Sequence, residues 1–476
     1  MARHVPGNRL AGAVGAVIAL AMLMPAGISQ ATTGHPRTPR SLAPQAVLPR
    51  VHPATGTPHF PSSTQKTEQV RQLVQCGNTM YAVGTFSVVR QGARTFKRNN
   101  AFSFKASAPF TITSWNPNVN GTVNSIAFNS GRCANAYLGG AFTKVRGRSA
   151  TRIAKVSTAG AGALVGSFRH SANKQVETIA SYQNHLMVGG FFTRINGSAK
   201  TPYMISLNPR TGANDRFVDL HISGHITFPN AAANPTRIYN QQVSHHFRFD
   251  LVEGDFTSVG GKRRRQVFML NLTTRPRATV TAWTSPRFDG SKGYPPNGFY
   301  YNCGQSEPFY IRDGAWSPDD KTVFLASTGQ RPWNAKTLPL KGLCDSAAAF
   351  SATGSRPAIK WTNYTGCDSL LTVAADASAA YFAGHERWSQ NPNGCDKQGP
   401  GAIVAPGMEA VNRATGHVLL NSQGTAGLYS RGRGLGADDM LITKAGLWIA
   451  SDNFGGTSMC NGVQNLAGIC FLPYPH

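Results

Sequence analysis

Short apolar runs along this chain end on a glycine or serine at regular distances. YAVG at 81–84, YLGG at 137–140, MVGG at 187–190 and LVEG at 251–254 are followed by FLAS at 324–327, YFAG at 381–384 and WIAS at 448–451. The last residues of these runs, Gly84, Gly140, Gly190, Gly254, Ser327, Gly384 and Ser451, stand 56, 50, 64, 73, 57 and 67 residues apart. Fourteen to seventeen residues before each lies a second alternating run: VRQLVQ from 70, VNSIAF from 123, VETIAS from 176, IYNQQV from 238, IRDGAW from 311, LLTVAA from 370 and ADDMLI from 437. Period-two patterning with Gly, Asn and Asp between the two runs predicts a hairpin in every repeat. A basic loop and a third strand follow, such as RIAKVS from 152 or YMISLN from 203, and then a fourth strand ending at Trp115, Phe168, Phe217, Trp283 or Trp361.

A recurring unit of this size cannot bury its own faces and must stack on its neighbours. Without a long amphipathic helical pattern, the repeats predict an all-β fold: a seven-bladed β-propeller of four-stranded antiparallel blades. A ring avoids open sheet edges only if its last blade is completed from the start of the chain. The last repeat stops early, because after AGICFLPY at 467–474 only Pro475 and His476 remain. TPHFP at 57–61 resembles TSWNP at 113–117, and Phe60 precedes Val70 by ten residues as Trp115 precedes Val123 by eight. The N-terminal strand is therefore expected to complete the C-terminal blade.

The motif [YL]xGGxFTxVxG, with the later Asn208-Pro209-Arg210-Thr211-Gly212, resembles the delta-60 repeat family of secreted bacterial β-propeller proteins. The likeness is clear over residues 120–270 and recognisable over 70–120; from 290 onward ASTG and AGHERW replace GGxF. It implies a secreted propeller, often attached to larger surface proteins, and assigns no activity.

Three segments are expected. In residues 1–31, Arg3, His4 and Arg9 precede an apolar run from Leu10 to Met24, with Ser29 and Ala31 at a cleavage site, which reads as a secretory signal peptide rather than a retained anchor. Residues 32–53 are proline-rich and read as a disordered spacer, and 54–476 form the propeller. No later stretch is long and apolar enough to span a bilayer. Removing the leader's two arginines lowers the formal charge from +26 to +24, which favours polyanions: wall polymers of the teichoic-acid kind, acidic glycans or anionic headgroups.

In a propeller the second-to-third loops share one face, and here they are basic. They carry Arg90, Arg94, Lys97 and Arg98; Lys144, Arg146 and Arg148; Arg194 and Lys200; Lys262, Arg263, Arg264 and Arg265; and Arg331, Lys336 and Lys341. This arc is the footprint expected for an anionic polymer, an acidic glycan or an acidic surface protein. The competing explanation is structural, with arginines bonding neighbouring blades. No recognised nucleic-acid-binding module accompanies the charge, so nucleic acid is the weaker expectation. Trp333, Trp388 and Tyr429 in the later loops would add a pocket wall, and the protein is expected to act as a monomer.

The third residue of every first strand is polar: Gln72, Ser125, Thr178, Asn240, Asp313, Thr372 and Asp439. These could ring a central channel, where Asp313, Asp438 and Asp439 would serve a hydrolase or lyase acting on an acidic polysaccharide. The plainer reading is that they fasten the first strands to one another. His385-Glu386 lacks a second histidine at helical spacing, no GxSxG elbow exists, and no metal or cofactor motif appears. The expected function is non-catalytic binding of a polyanion or protein partner, with the enzyme and a purely structural surface module as alternatives.

All eight cysteines lie after residue 31 and no CxxC pair occurs, so they read as disulfides of an exported protein. Eight cysteines allow about 105 pairings. By position in the repeats, Cys303 with Cys344 and Cys367 with Cys395 would staple blades five and six; Cys460 and Cys470 would close a loop of blade seven. Cys76 and Cys133 occupy equivalent hairpins of blades one and two.

Overall fold

The protein, seen here in a computed structural model, is described over residues 48–61, 68–129, 132–169, 171–226, 235–288, 303, 309–329, 342–420, 436–453, 460 and 467–475. The expected leader 1–31, the spacer up to 47, Arg331, Trp333, Lys336, Lys341 and Tyr429 lie outside these residues. Apart from the 3-10 turn Pro286–Phe288, the described elements are all strands.

Among the described residues, seven main antiparallel sheets follow one another, each opening with a hairpin, and four smaller sheets lie in the loops. The first strands are Gln69–Cys76, Val123–Phe128, Val176–Tyr182, Arg237–Val243, Ile311–Trp316, Leu370–Ala375 and Ala437–Thr443. Each pairs with the run that carries the anchor residue, and that run pairs in turn with a third strand, as Thr79–Thr85 does with Ala101–Lys105. The first strands pack side by side in chain order, and Ala437–Thr443 also packs against Gln69–Cys76.

The expected fourth strand is regular only in sheets 4 and 5, as Thr279–Val280 and Ile359–Tyr364. Elsewhere it shrinks to one bridge, Phe104 with Ile112, Val156 with Leu164, Leu207 with Asn214 and Val411 with Val418. Side chains take over the backbone groups that the ladder would have used: in sheet 3 the Val218 amide donates to Ser206 Oγ at 2.7 Å. At the last sheet, residues 50–60 run beside Ile469–Pro473, with Arg50 N donating to Pro473 O, Ala54 N to Phe471 O and Phe60 N to Ala467 O. Leu48 and Val51, at the end of the expected spacer, pack against the cluster between sheets 6 and 7.

The core of the described residues divides into seven clusters, each filled from two successive sheets. Val74, Tyr81 and Val83 of sheet 1 meet Ile126, Phe128 and Leu138 of sheet 2. The seventh cluster joins Leu441, Trp448 and Ile469 of sheet 7 to Leu73, Met80 and Phe102 of sheet 1. Burying one such large apolar side chain stabilises by about 1.5–3 kcal/mol, so these inter-sheet layers supply the main cohesion.

The anchor residue has a local cause. In all seven hairpins the register slips at one place, between Val70 and Gln72, Val123 and Ser125, Val176 and Thr178, Ile238 and Asn240, Ile311 and Asp313, Leu370 and Thr372, and Ala437 and Asp439. A β-bulge of this kind draws the opposing backbone close. A Cβ at Gly84, Gly140, Gly190, Gly254 or Gly384 would stand 1.9, 2.1, 2.5, 2.2 or 2.1 Å from a backbone carbonyl oxygen. In sheets 5 and 7 a serine takes this place, and its hydroxyl is used: Ser327 Oγ donates to Ser346 O at 3.0 Å, and Ser451 Oγ accepts from Gly468 N at 3.2 Å.

Candidate functional site

The bulge decides what the first strands present. The third-position residues expected to ring a channel are instead buried, none more than 6% exposed, and they lace one sheet to the next. Asp439 Oδ2 accepts from Leu73 N at 2.9 Å, Gln72 Oε1 from Ile126 N at 2.7 Å and Ser125 Oγ from Ile179 N at 3.0 Å. Asp313 Oδ1 accepts from Asn240 Nδ2, and its Oδ2 from Val373 N at 2.7 Å. Asp313 and Asp439 are thus structural acceptors, with backbone donors aimed at them, rather than groups open to substrate.

The residue skipped by each slip is the one that reaches solvent. Arg71 is exposed, Glu177, Tyr239, Arg312, Leu371 and Asp438 are half-buried, and only Asn124 is covered. Burial pushes the Asp438 carboxyl up to about 7, against the pull of Arg71 and with a smaller push from Asp452. Arg312 lies with its guanidinium carbon 5.0 Å from the Tyr239 ring centre, and Arg237 covers the same ring at 4.2 Å. Of the three proposed acids, Asp438 alone is not fully buried, and its Oδ2 accepts no hydrogen bond among the described residues.

The basic loops of sheets 1 to 4 lie side by side, tied through the connections between sheets. Asn99 O accepts from Val119 N, and Lys144 O accepts from Asn120 N, so the connection 116–120 joins the loops of sheets 1 and 2. Arg194 O accepts from Asn173 N, and His221 O accepts from Gly260 N, which continues the row to sheets 3 and 4. One bridge recurs between connection and loop: His59 with Arg90, Val119 with Val145, Ala172 with Ile195 and Ile222 with Val259. The loop strands themselves, such as Val88–Gln91 with Arg94–Lys97, are short hairpins that hold the cations outward.

Arg90, Arg94, Lys97, Lys144, Arg146, Arg148, Arg194, Lys200, Lys262 and Arg263 are exposed and Arg265 is half-buried. Among the described residues, no carboxylate pairs with the first nine. Arg98 and Arg264 are less exposed and, like Arg146 and Lys262, whose Nζ donates to Val280 O at 3.0 Å, are tied to backbone carbonyls. Arg98 donates to the carbonyls of Lys97 and Thr113, both at 3.0 Å, and Arg264 to those of Arg263 at 2.8 Å and Thr281 at 2.5 Å. Thr113 and Thr281 each stand two residues before a core tryptophan, so both arginines pin a fourth segment; burial lowers the affinity of each guanidinium for its proton. Trp388 sits in a short strand paired with Ile403–Val404, with the Arg387 guanidinium 4.3 Å from its ring centre. That arginine is held by both oxygens of Asp368, at 2.6 and 2.9 Å.

One pair of acids escaped the sequence reading. In sheets 1 and 4, Phe86 meets Phe102 at 5.6 Å and Phe256 meets Phe268 at 5.3 Å, each first member standing two residues after the anchor glycine. Glu386 and Glu409 take these positions in sheet 6, 2% and 0% exposed. Burial pushes Glu409 up to about 7 against a smaller pull from Ser389, and burial followed by the charge of Glu409 raises Glu386 well above the usual carboxylate range. Among the described residues, no group of three or more His, Cys, Asp or Glu is arranged to hold a metal ion.

The cysteines pair as their positions in the repeats predict: Cys76 with Cys133, Cys303 with Cys344, Cys367 with Cys395 and Cys460 with Cys470, at Cα separations of 5.8, 5.3, 4.6 and 5.7 Å. No helix among the described residues is long and apolar enough to cross a membrane.

No protein-family model matches this chain, and no curated protein matches it. Among solved structures it is similar to U3-55K, at 7% identity and a TM-score of 0.44, over 89% of this chain and 100% of that one. It is similar to the WD40 repeats of RRP9 at 7% identity and 0.44, over 89% and 99% of the two chains. A third likeness is to the WD40 β-propeller domain of Doa1, at 9% identity and 0.39, over 84% and 95%. These likenesses concern chain path alone.

Proposed function

We propose that the seven sheets are blades of one closed β-propeller of the delta-60 kind, exported by the leader 1–31, and that its basic rim binds an anionic extracellular polymer without catalysis. Closure is supported by the core cluster shared between sheets 7 and 1 and by the run of residues 50–60 beside Ile469–Pro473. Phe60 packs on Phe86 at 5.4 Å, where it covers sheet 1 as Trp115 covers sheet 2 by donating from Nε1 to Ser157 O.

The observation that carries the function is the row of nine exposed cations on adjoining loops, none of them in an ion pair with a carboxylate among the described residues. Such a row focuses a positive potential that only a partner of opposite sign or salt relieves. The Debye length falls from about 10 Å at 0.1 M to about 3 Å at 1 M, so binding through this row must weaken with salt.

The test uses polyglycerol phosphate and polyglucuronate chains immobilised on a sensor. Affinity for at least one is expected to fall more than tenfold between 50 and 500 mM NaCl, and K144Q/R146Q/R148Q is expected to bind it several-fold more weakly at 50 mM. Salt-independent binding, or a triple variant that binds like the parent, would refute the rim. Preference for duplex DNA over both polymers would replace the proposed partner.

A further inference from the structure

Between sheets 3 and 4 the connection is longer than elsewhere on the basic rim. Twenty-one residues separate Phe217 from Ile238, against eight from Trp115 to Val123 and eight from Phe168 to Val176. In the shorter connections the loops close on each other. Asn99 Nδ2 donates to Asn118 Oδ1, and Arg146 NH1 reaches the carbonyls of Asn116 and Ala161 at 3.2 Å. Where the connection is long, a cleft of about 420 Å³ opens between the sheet 3 loop and the start of the connection. That volume lies at the small end of the range for ligand sites, about 300–1,000 Å³.

The walls are built rather than loose. Ile222–Ser223 forms a small sheet with Ser258–Val259 and Lys262–Arg263, and the long connection is pinned at its base by Thr236 Oγ1 donating to Gly224 O at 2.7 Å. Gly224 has φ +73°, and a Cβ there would fall 1.9 Å from Thr257 Oγ1, so this wall depends on glycine. On the opposite side stand Arg194, Pro202 and Tyr203, and the lining also includes Thr193, His221 and Ser223. Among the described residues, no hydrogen bond or ion pair engages the guanidinium of Arg194, whereas Arg98, Arg146 and Arg264 are each tied to backbone carbonyls. An unengaged cation, an aromatic wall and several hydroxyl or imidazole groups therefore meet in one cavity.

We propose that this cleft is a subsite for one anionic hexose unit, a sugar phosphate or a uronate, with its charge on Arg194 and its ring against Tyr203 and Pro202. The inference rests on the rim's binding a polyanion, and adds that the rim is not uniform: it reads one unit of the chain here and attracts the rest by charge alone. A built pocket with a single charged group and an apolar wall gives orientation as well as attraction.

Saturation-transfer NMR and calorimetry on the full chain distinguish the two ideas, with glucose 1-phosphate, glucuronate and glucose as probes. Either anionic sugar is expected to bind at millimolar concentration, glucose at least tenfold more weakly. R194Q is expected to lose that binding by tenfold or more, and Y203A by several-fold. R94Q/K97Q, on the sheet 1 loop, is expected to leave monosaccharide binding unchanged while weakening polymer binding. The subsite is overturned if neither anionic sugar binds, if glucose binds equally well, or if R94Q/K97Q lowers monosaccharide binding as much as R194Q. Salt-sensitive polymer binding that R194Q reduces no more than R94Q/K97Q leaves the rim standing without the subsite; monosaccharide binding without polymer binding does the reverse.

Discussion

The Glu386–Glu409 pair makes a quantitative prediction about pH. Two carboxyl groups fill a slot that holds two phenyl rings in sheets 1 and 4, so water does not reach them, and the folded protein keeps a proton that the unfolded chain releases. Glu409 titrates near 4.5 when unfolded and at about 7 when folded. With a raised folded value, the native state binds more protons across this interval, and stability falls as pH rises. The difference corresponds to about 3 kcal/mol lost between pH 4.5 and 7 and no further loss above it. Glu386 and Asp438 act in the same direction, so the wild-type curve alone does not isolate Glu409.

E409Q removes the proton of Glu409 and with it the charge that helps to raise Glu386, so the change it reports is that of the coupled pair. The amide has nearly the same shape and no charge, and any cost from its unmet hydrogen bonds, about 1–3 kcal/mol, is the same at every pH. In urea unfolding followed by tryptophan fluorescence, the stability of E409Q relative to the parent is expected to rise by about 3 kcal/mol from pH 4.5 to 8. A relative stability that stays constant over that range would mean that Glu409 titrates alike in both states, and the buried-slot reasoning would fail.

G140A sets a Cβ 2.1 Å from Thr122 O, a backbone atom that cannot swing away, and is expected to lower stability by at least the 1–3 kcal/mol of an overpacked core in the same urea assay; a neutral result would contradict the bulge. For Asp313, D313A strips the acceptor from Val373 N and is expected to destabilise by about 1–3 kcal/mol, while D313N keeps one acceptor oxygen and costs less. Equal stability of D313A and wild type would return Asp313 to the list of available acids.

The repeat was legible because every hairpin needs the same two things: alternation to bury one face, and a small residue at the slip. What the anchor glycine avoids was not legible, since the bulge depends on backbone approach rather than on side-chain pattern. The polar third positions were legible as a set, but alternation alone does not say whether Gln72 or its neighbour Arg71 meets solvent; the bulge turns that choice over. Arg98 and Arg264 read as rim cations because a long side chain leaves no trace in sequence of which way it folds. Arg98 stands 17 residues before Trp115 and Arg264 19 before Trp283, separations that only the fold closes. Glu386 and Glu409 did leave a signal: each is a charged residue at a position that other sheets fill with Phe, as in Phe142, Phe192 and Phe102. NRATG at 412–416 likewise repeats the NPRTG turn, with Asn412 Oδ1 accepting from Ala414 N and Thr415 N as Asn208 Oδ1 does from Arg210 N and Thr211 N.

Amide hydrogen exchange at the N-terminal segment is the most direct test of ring closure, on which the shared rim depends. Ala54 N and Phe60 N donate to Phe471 O and Ala467 O across the whole length of the chain. Closure predicts that both amides exchange only with global unfolding, as slowly as Leu73 N and Ile126 N between first strands. Exchange of Ala54 and Phe60 near the rate of a free peptide, with the first-strand amides still protected, would show an open last sheet and contradict the account.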